Sequence, residues 1–541
     1  MTEVFESRSG HACIRVDGVA LHSPYDPVTE AARFAETSFP AESPSLVMLL
    51  GEGLGYASAA IAKRFPAARV IPVYYSEELQ RASVFHAEAS WHPGMGRDPA
   101  EWFRSVIGEL DVEGLRIIEW PPSGRIFPEI SRLAQRSAQL AIQEASGSFM
   151  TTVASGRIWL RNTLLNFLSL DALMTGELCP PGVPILIAAP GPSLEASMPI
   201  IRKKRKSFAL WALPSGLAAL EAGGILPDLI VMTDPGHWSA AHLHFTCQRC
   251  PIVMPLSAAP GVHGTSRPVY PLLQPMFFEE DLFRRAGLSA PRIPPHGTVT
   301  ATALDLACSS SDSRVIAAGV DLCTNDIISH ARPNLFDRLL WLSSGRLSPH
   351  YSSSFSRAAR SASEIISISG KRIRIPLPLK TYAGWLSSRV PMRANSPGRQ
   401  TDRSDGLIRV SPSPVNLGSM RGAEPEWLLG LPSFENTSPR LRAFPNLPLR
   451  PGRISILRAV FDEWTASVRK GLRDVKSRSD PTCIAADPML FQLAYYSEAQ
   501  MLLEVRRRLR LSGISAALDV SVALLEKTVA FLEFLRSKTG V

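Results

Sequence analysis

A short turn at Pro190-Gly191-Pro192-Ser193 separates an apolar run, residues 185–189, from a predicted helix that extends to about residue 204. The first amides of a helix and the positive end of its dipole bind phosphate or carboxylate groups. Gly191 lets a ligand approach the backbone closely, and Ser193 is predicted to cap the helix. An ordinary strand-to-helix turn with a capping serine has the same pattern, so the turn alone leaves both interpretations open.

Two aspartates follow later apolar runs. Asp234 comes after residues 229–233, and Asp321 comes after residues 314–318. Ligands of open α/β sheets bind at the carboxyl ends of the strands, so both side chains are expected near a ligand. Asp234 is suited to orient a hydroxyl, hold a metal or transfer a proton. It is equally suited to cap a turn, which the following Pro235 favours.

A third candidate segment, His296-Gly297-Thr298, precedes a helix predicted over residues 299–308. Thr298 or Thr300 can cap this helix while offering a hydroxyl and amides to a ligand. His330 lies in the loop after Asp321, and an imidazole with a pKa of about 6.5 suits a general base at neutral pH. An exposed loop histidine without a catalytic role would show the same sequence pattern.

Other motifs are less specific. Cys247 and Cys250 have zinc-ligand spacing, but no second pair follows at the usual distance, so no metal site is predicted. The basic run 202–206 is expected to be a solvated helix end, and no recognition module accompanies it that would indicate nucleic acid. Gly51-Glu52-Gly53-Leu54-Gly55 is a partial dinucleotide fingerprint that lacks the third, helix-side glycine.

The elements that position these residues alternate between strands and helices. Apolar runs at 46–50 and 70–75 flank a helix at 57–63, and from residue 184 a second series predicts strands near 207–213, 252–256 and 314–318. Alternation of this kind predicts an α/β fold with a mostly parallel sheet. A helix is expected over 131–167 with a break near 146–156. Residues 343–369, rich in Ser, are expected to form a mobile loop.

Length, charge and composition limit the classes of protein to which this chain can belong. The 541 residues carry 58 Lys and Arg against 49 Asp and Glu, a net charge of +9, and 45% of them are apolar, enough for several cores. No apolar run reaches the ~18 residues of a membrane span, and no secretory signal is evident. Seven scattered Cys argue against a disulfide framework, so a cytoplasmic location is expected.

Four motifs in order, ILIAAPGPSL, GILPDLIVMTDP, HGTVTATALDLA and GVDLCTNDIISHARPN, resemble the motility-associated factor (Maf) family. The central domain of that family is similar to archaeal 6-hydroxymethyl-7,8-dihydropterin pyrophosphokinase (MptE-like). The earlier segments HSPYDPVTEAARF, LLGEGLGY and RIWLRNTLLN resemble the family as well. The resemblance implies an N-terminal Rossmann-like domain (1–150), a central sialyltransferase-like α/β domain (151–390) and a C-terminal helical domain (453–541). A Pro- and Ser-rich linker (391–452) is expected before the last domain.

The resemblance also implies an activity. Members are described as flagellin glycosyltransferases that move a nonulosonic, sialic-acid-like sugar from a CMP donor to Ser or Thr. Gly191, Pro192, Ser193, Gly297 and Thr298 would then bind the nucleotide phosphate, with Asp234 and Asp321 near ribose or sugar. His330 would be the base, and Tyr382 would assist the leaving phosphate.

Two other functions remain open. The first is an ATP-dependent pterin pyrophosphokinase, which would need Mg²⁺. The second is a non-catalytic motility-associated scaffold whose helices after residue 454 bind protein partners.

Overall fold

The structure, a computed structural model, describes residues 2–39, 43–169, 171–246, 249–261, 267–324, 327–359, 362–367, 370, 372–376, 379–380, 382–383, 386, 407–410, 415, 420–445 and 447–541. Its contacts divide the chain into two compact units. The first combines Met1–Gly156 with Trp464–Leu532, and the second combines Arg157–Glu463 with Glu533–Val541. The four-part division expected from the sequence stays a prediction.

The first unit begins with an antiparallel sheet that the sequence analysis missed, followed by an α/β segment. Its elements are β1 (Thr2–Glu6), β2 (Ala12–Val16), β3 (Val19–Ala20), α1 (Pro27–Ser38), β4 (Leu46–Glu52), α2 (Tyr56–Arg64), β5 (Arg69–Tyr74), α3 (Glu77–Ala82), α4 (Pro99–Val106), β6 (Leu115–Glu119), α5 (Pro121–Ile126) and α6 (Pro128–Ser169). Strand β4 is buried along its whole length and pairs in parallel with β5 and β6. This parallel sheet is the Rossmann-like element that was predicted.

Helix α6 is continuous over 42 residues, so the break predicted near 146–156 is wrong. Gly156 is required there for another reason. A Cβ atom on Gly156 would lie 2.4 Å from the carbonyl oxygen of Tyr496, a residue of the same unit. The glycine allows this close packing and does not end the helix.

The second unit contains the larger sheet. Its elements are β7 (Met174–Glu177), β8 (Ile185–Ala188), α7 (Leu194–Lys203), β9 (Ala209–Ala212), α8 (Leu217–Ala222), β10 (Leu229–Val231), α9 (His237–His244), β11 (Ile252–Pro255), β12 (Val269–Leu272), α10 (Phe277–Ala286), α11 (Val299–Ser310), β13 (Val315–Ala318), α12 (Leu335–Leu342), α13 (His350–Ala359), β14 (Ala362–Ile366), β15 (Arg372–Pro376), β16 (Leu407–Arg409), β17 (Arg421–Gly422) and β18 (Arg440–Ala443). Eight strands lie in the order β12-β11-β10-β9-β8-β13-β16-β17, and neighbouring strands are parallel.

The strand order reverses between β8 and β13. From β8 the chain adds β9 to β12 on one side, then returns to place β13, β16 and β17 on the other. The ligand site of an open parallel sheet lies at the carboxyl ends of the strands beside such a reversal. The turn after β8 is Pro190 to Ser193, and Asp321 follows β13, so the topology brings these two predicted segments together.

Two regions expected to be irregular contain regular elements among their described residues. The Ser-rich stretch 343–369 contains α13 and β14, and β14 forms a hairpin with β15. The expected linker 391–452 supplies β16 and β17 to the large sheet and β18 to a pair with β7. Strand β16 is only three residues long, so its apolar pattern was too short to stand out among Pro and Ser.

The chain ends in four helices, α14 (Arg450–Arg478), α15 (Cys483–Ala486), α16 (Pro488–Ser512) and α17 (Ile514–Thr539). A C-terminal helical domain was expected, but the boundary between α16 and α17 was not predicted. Gly513, with a φ of 80°, separates the two helices. None of the described helices combines the length and the apolar run that crossing a bilayer requires.

Candidate functional site

The turn after β8 is held by the loop after β13. Asp321 is buried, and its carboxylate accepts a hydrogen bond from the Ser193 amide at 2.7 Å and a second, short one from the Ser193 hydroxyl. Burial raises the pKa of Asp321, while the bonds from Ser193 and the charge of Arg409 act in the opposite direction. Ser193 occupies the N-cap position, but its hydroxyl caps no helix amide, so the predicted cap interaction is wrong.

The amides expected to bind phosphate at this turn therefore have protein acceptors. Besides the bond from Ser193 to Asp321, the Gly191 amide donates to the Gly319 carbonyl at 2.9 Å. A Cβ atom on Gly191 would lie 2.4 Å from that same carbonyl oxygen. Glycine is thus required here by a close approach of two backbones. Pro192, which lies between the two donors, has no amide hydrogen to offer.

The start of α11 carries a second group of predicted residues. Thr298 caps the helix as expected, because its hydroxyl oxygen accepts from the Ala301 amide at 3.0 Å. Tyr382 packs on Gly297, where a Cβ atom would lie 2.4 Å from the tyrosine ring. Burial is the main cause that raises the pKa of Tyr382, and the negative charge of Asp234 adds to it.

Asp234 itself is exposed and closes a turn. Its carboxylate accepts from the Gly236 amide at 2.6 Å, and its backbone carbonyl accepts from the Ala259 amide at 3.0 Å. Turn capping, one of the two interpretations from the sequence, is therefore present. One carboxylate oxygen is engaged in this way, and an ionised carboxylate has further lone pairs for a ligand.

His330 lies beside the turn after β8, as the sequence argument requires. The amide of the next residue, Ala331, donates to the Pro190 carbonyl at 2.8 Å. The His330 Nδ1 atom lies 2.9 Å from the Ser329 hydroxyl, and its ring centroid is 5.4 Å from that of Phe336.

Sequence reasoning missed an aromatic group around this imidazole. The ring of Phe336 also contacts His242 at 5.1 Å and Trp238 at 6.0 Å between centroids. Burial, together with the charge of His330, lowers the pKa of His242 to about 4. His242 is therefore neutral at neutral pH and places no positive charge against His330.

Two asparagines of α6 hold the loops that follow β10 and β11. The side-chain amide of Asn162 donates to the carbonyls of Pro235 and Ser257, at 3.0 and 3.3 Å. That of Asn166 donates to Leu256 and Ala258, at 2.7 and 2.9 Å. The signal was present in the sequence, because two Asn four residues apart on an apolar helix face indicate a buried polar contact.

The glycine-rich turn of the first unit has its amides occupied. The buried carboxylate of Glu52 accepts from the amides of Gly53, Gly55 and Ser58 at 2.8, 3.2 and 2.8 Å. The Leu54 amide donates to Nε2 of His22 at 2.9 Å. These are the donors that would hold a dinucleotide phosphate. Here protein side chains, and not a phosphate, accept hydrogen bonds from these amides. The glycine-rich motif therefore has a structural role.

Of the two cysteines with zinc-ligand spacing, Cys250 is described. Burial raises the pKa of its thiol to about 11. Cys247 lies outside the described residues. Within the described ranges, no three His, Cys, Asp or Glu side chains group as a metal site.

Comparisons with known proteins agree with the architecture. Residues 162–326 match the family described as 6-hydroxymethylpterin diphosphokinase MptE-like. Three uncharacterized proteins of Treponema pallidum (strain Nichols) are 26%, 27% and 27% identical over 219, 158 and 215 residues. These alignments cover 40%, 28% and 37% of this chain and 48%, 70% and 73% of the relatives, so the chain spans about half the length of the first.

A solved structure is similar over nearly the whole chain. It is described as the structure of MAf glycosyltransferase from Magnetospirillum magneticum AMB-1. The match covers 99% of this chain and 91% of that one with a TM-score of 0.55, at 13% sequence identity. The predicted resemblance is thereby confirmed for the central MptE-like domain and for the fold.

Proposed function

We propose that this chain is a glycosyltransferase that moves a nonulosonic sugar from a CMP donor to a Ser or Thr hydroxyl of flagellin or a related protein. The observation that carries the proposal is the arrangement at the reversal of strand order, where His330 lies beside the turn after β8. The MptE-like domain and the fold shared with a MAf glycosyltransferase support it.

His330 acts as the general base in this proposal. The acceptor oxygen forms a bond to the anomeric carbon, the bond from that carbon to the CMP phosphate breaks, and the hydroxyl proton passes to Nε2. For Nε2 to accept it, Nδ1 must carry a hydrogen and donate it to the Ser329 hydroxyl, 2.9 Å away. His242, which is neutral, does not repel the imidazolium that forms.

The CMP phosphate is proposed to lie at the start of α11. The amides of Gly191 and Ser193 are engaged by Gly319 and Asp321, so that turn serves to fix the sheet edge. The first amides of a helix have no intrahelical acceptors. The Thr298 hydroxyl takes that of Ala301, so the amides of Val299 and Thr300 are the ones proposed to bind the anion. Tyr382, protonated because its pKa is raised, can donate to the leaving phosphate oxygen.

Calorimetry with CMP and CMP-nonulosonates tests the proposal. We expect wild type and His330→Ala to bind CMP equally, while His330→Ala transfers the sugar about 10²–10⁴-fold more slowly, the usual contribution of a general base. His244→Ala, which removes an exposed imidazole from the same unit, serves as the control and is expected to keep full activity. No heat with any cytidine nucleotide would contradict the proposal.

A second candidate rests on the description of the matched family, a pterin diphosphokinase. That reaction would transfer diphosphate from ATP, with Mg²⁺, to the hydroxymethyl group of a pterin. The same calorimetry with ATP and Mg²⁺ separates the two. ATP-dependent turnover of the pterin alcohol, without a response to CMP, would favour the kinase.

A further inference from the structure

Large apolar side chains are exposed on two consecutive helices that follow His330 and in the turn between them. Trp341, Leu342, Leu347, Tyr351 and Phe355 are 65%, 77%, 94%, 58% and 51% exposed, all within 15 residues of the chain. Single exposed apolar residues are common on any protein, whereas a group of this size indicates an interaction site. We call these five residues the aromatic surface.

Ring contacts make this surface continuous. Trp341, at the end of α12, stacks on His350 at 5.4 Å between centroids, and His350 contacts Tyr351 at 5.8 Å. Tyr351 and Phe355 are four residues apart on α13 and therefore share a helix face. The two helices thus present one apolar area to a partner.

Helix α12 connects the aromatic surface to the proposed base. Phe336, in the first turn of α12, has its ring 5.4 Å from that of His330. Helix α12 has eight residues, which correspond to about 12 Å of length. An extended peptide covers that distance with about four residues. A segment that binds the aromatic surface and continues for about four residues toward the first turn of α12 is long enough to reach His330.

The segment that carries the surface has an excess of positive charge. Residues 335–359 contain three Arg and one acidic residue, Asp337, whose carboxylate accepts from Asn334 at 3.0 Å. Arg338 and Arg346 are exposed, and within the described part of the chain neither side chain has an acidic partner. The complement to this surface is a segment that combines apolar side chains with carboxylates.

We propose that the aromatic surface binds the acceptor segment, a stretch of protein in which apolar and acidic residues flank the Ser or Thr to be modified. The inference rests on the proposed function and adds to it the chemistry of the acceptor. The bound segment is held by Trp341 and its neighbours, and its hydroxyl reaches the imidazole of His330.

A fluorescein-labelled peptide in which two Leu and two Glu flank one Ser tests this by fluorescence anisotropy on the full chain. We expect Trp341→Ala and Leu347→Ser each to weaken binding at least 10-fold. Leu449→Ser removes another exposed leucine of the same unit, 80% exposed, and is expected to leave binding unchanged. A peptide with Lys in place of Glu is expected to bind at least 10-fold more weakly.

Several outcomes would overturn the inference. These are unchanged peptide binding in both variants, binding to anionic vesicles that Leu347→Ser abolishes, or a dimer in ultracentrifugation that the same change dissociates. CMP calorimetry on the same proteins keeps the two proposals apart. CMP binding without peptide binding overturns only this inference, whereas a wild type that binds no cytidine nucleotide overturns the proposed function.

Discussion

Glu52 and Asp321 have the same structural role, each in a different unit of the molecule. Each carboxylate accepts hydrogen bonds from amides of a strand-to-helix turn where the sequence pattern suggested a bound phosphate. The pattern identifies amides that need an acceptor, but it does not say whether a ligand or the chain supplies it. Glu52 lies inside its own motif, whereas Asp321 comes from 128 residues away.

His22 provides a residue-scale prediction about pH. Burial lowers the pKa of His22 from 6.5 to about 4. Between these two pH values the unfolded chain therefore binds a proton that the folded chain does not. Stability therefore falls as the pH falls from about 6.5 to 4, by about 3 kcal/mol for this shift. Urea unfolding of the full chain at pH 7, 5.5 and 4 measures the loss.

His22→Gln is the matched control for this prediction. The glutamine oxygen can still accept from the Leu54 amide, but the side chain does not titrate in this range. Burial also raises the pKa of the neighbouring Glu52, which makes stability fall as the pH rises through that group's titration. This effect is common to both proteins and cancels in their difference. Parallel pH profiles for wild type and His22→Gln would contradict a neutral, buried imidazole.

At the scale of elements, the sequence predicted the longer apolar strands of the two parallel sheets. The apolar runs of β4 and β8 are buried along the strand, as is typical of parallel strands that are covered on both faces. Strands β16 and β17 could not be predicted, because elements of three and two residues have no periodicity of their own. Likewise, the position of Thr298 was predicted from capping rules, whereas the aromatic group around His330 depends on how α9 and α12 pack.

Helix α12 gives a prediction at this scale. Asn334 is buried, caps the helix through the Asp337 amide at 3.0 Å, and donates to the Ala331 carbonyl at 3.3 Å. Asn334→Ala is expected to cost about 1–2 kcal/mol of stability in urea unfolding. It should also lower the transfer rate, because the same turn carries Phe336 against His330. Asn334→Ser keeps an N-cap oxygen and should recover most of the stability. Equal stability of wild type and Asn334→Ala would contradict this account.

For the whole molecule, the first unit is built from two distant parts of the chain. Side chains of α16 pair with the N-terminal part, as in Arg510 with Glu113 at 2.5 Å and Arg506 with Asp111 at 3.1 Å. A short hydrogen bond joins Tyr495 to Glu109. The C-terminal helices are therefore part of the first unit's structure and cannot be assigned to partner binding alone.

A truncation tests this organisation. We expect a chain without residues 464–541 to expose the apolar surface that α16 and α17 cover in the first unit. It should bind a hydrophobic dye and lose part of its cooperative thermal transition. Removal of only residues 538–541 takes away the end of α17 and should leave the transition unchanged. An unaltered melting curve after the longer deletion would contradict the two-part construction of this unit.

The discontinuity of the first unit has a consequence for synthesis in the cell. About 300 residues lie between its two parts, and they emerge from the ribosome before the closing helices do. At 5–20 residues per second, that interval lasts about 15–60 s. During this time the nascent N-terminal part remains incompletely packed. Chaperones that bind exposed apolar surface are expected to bind it in this interval.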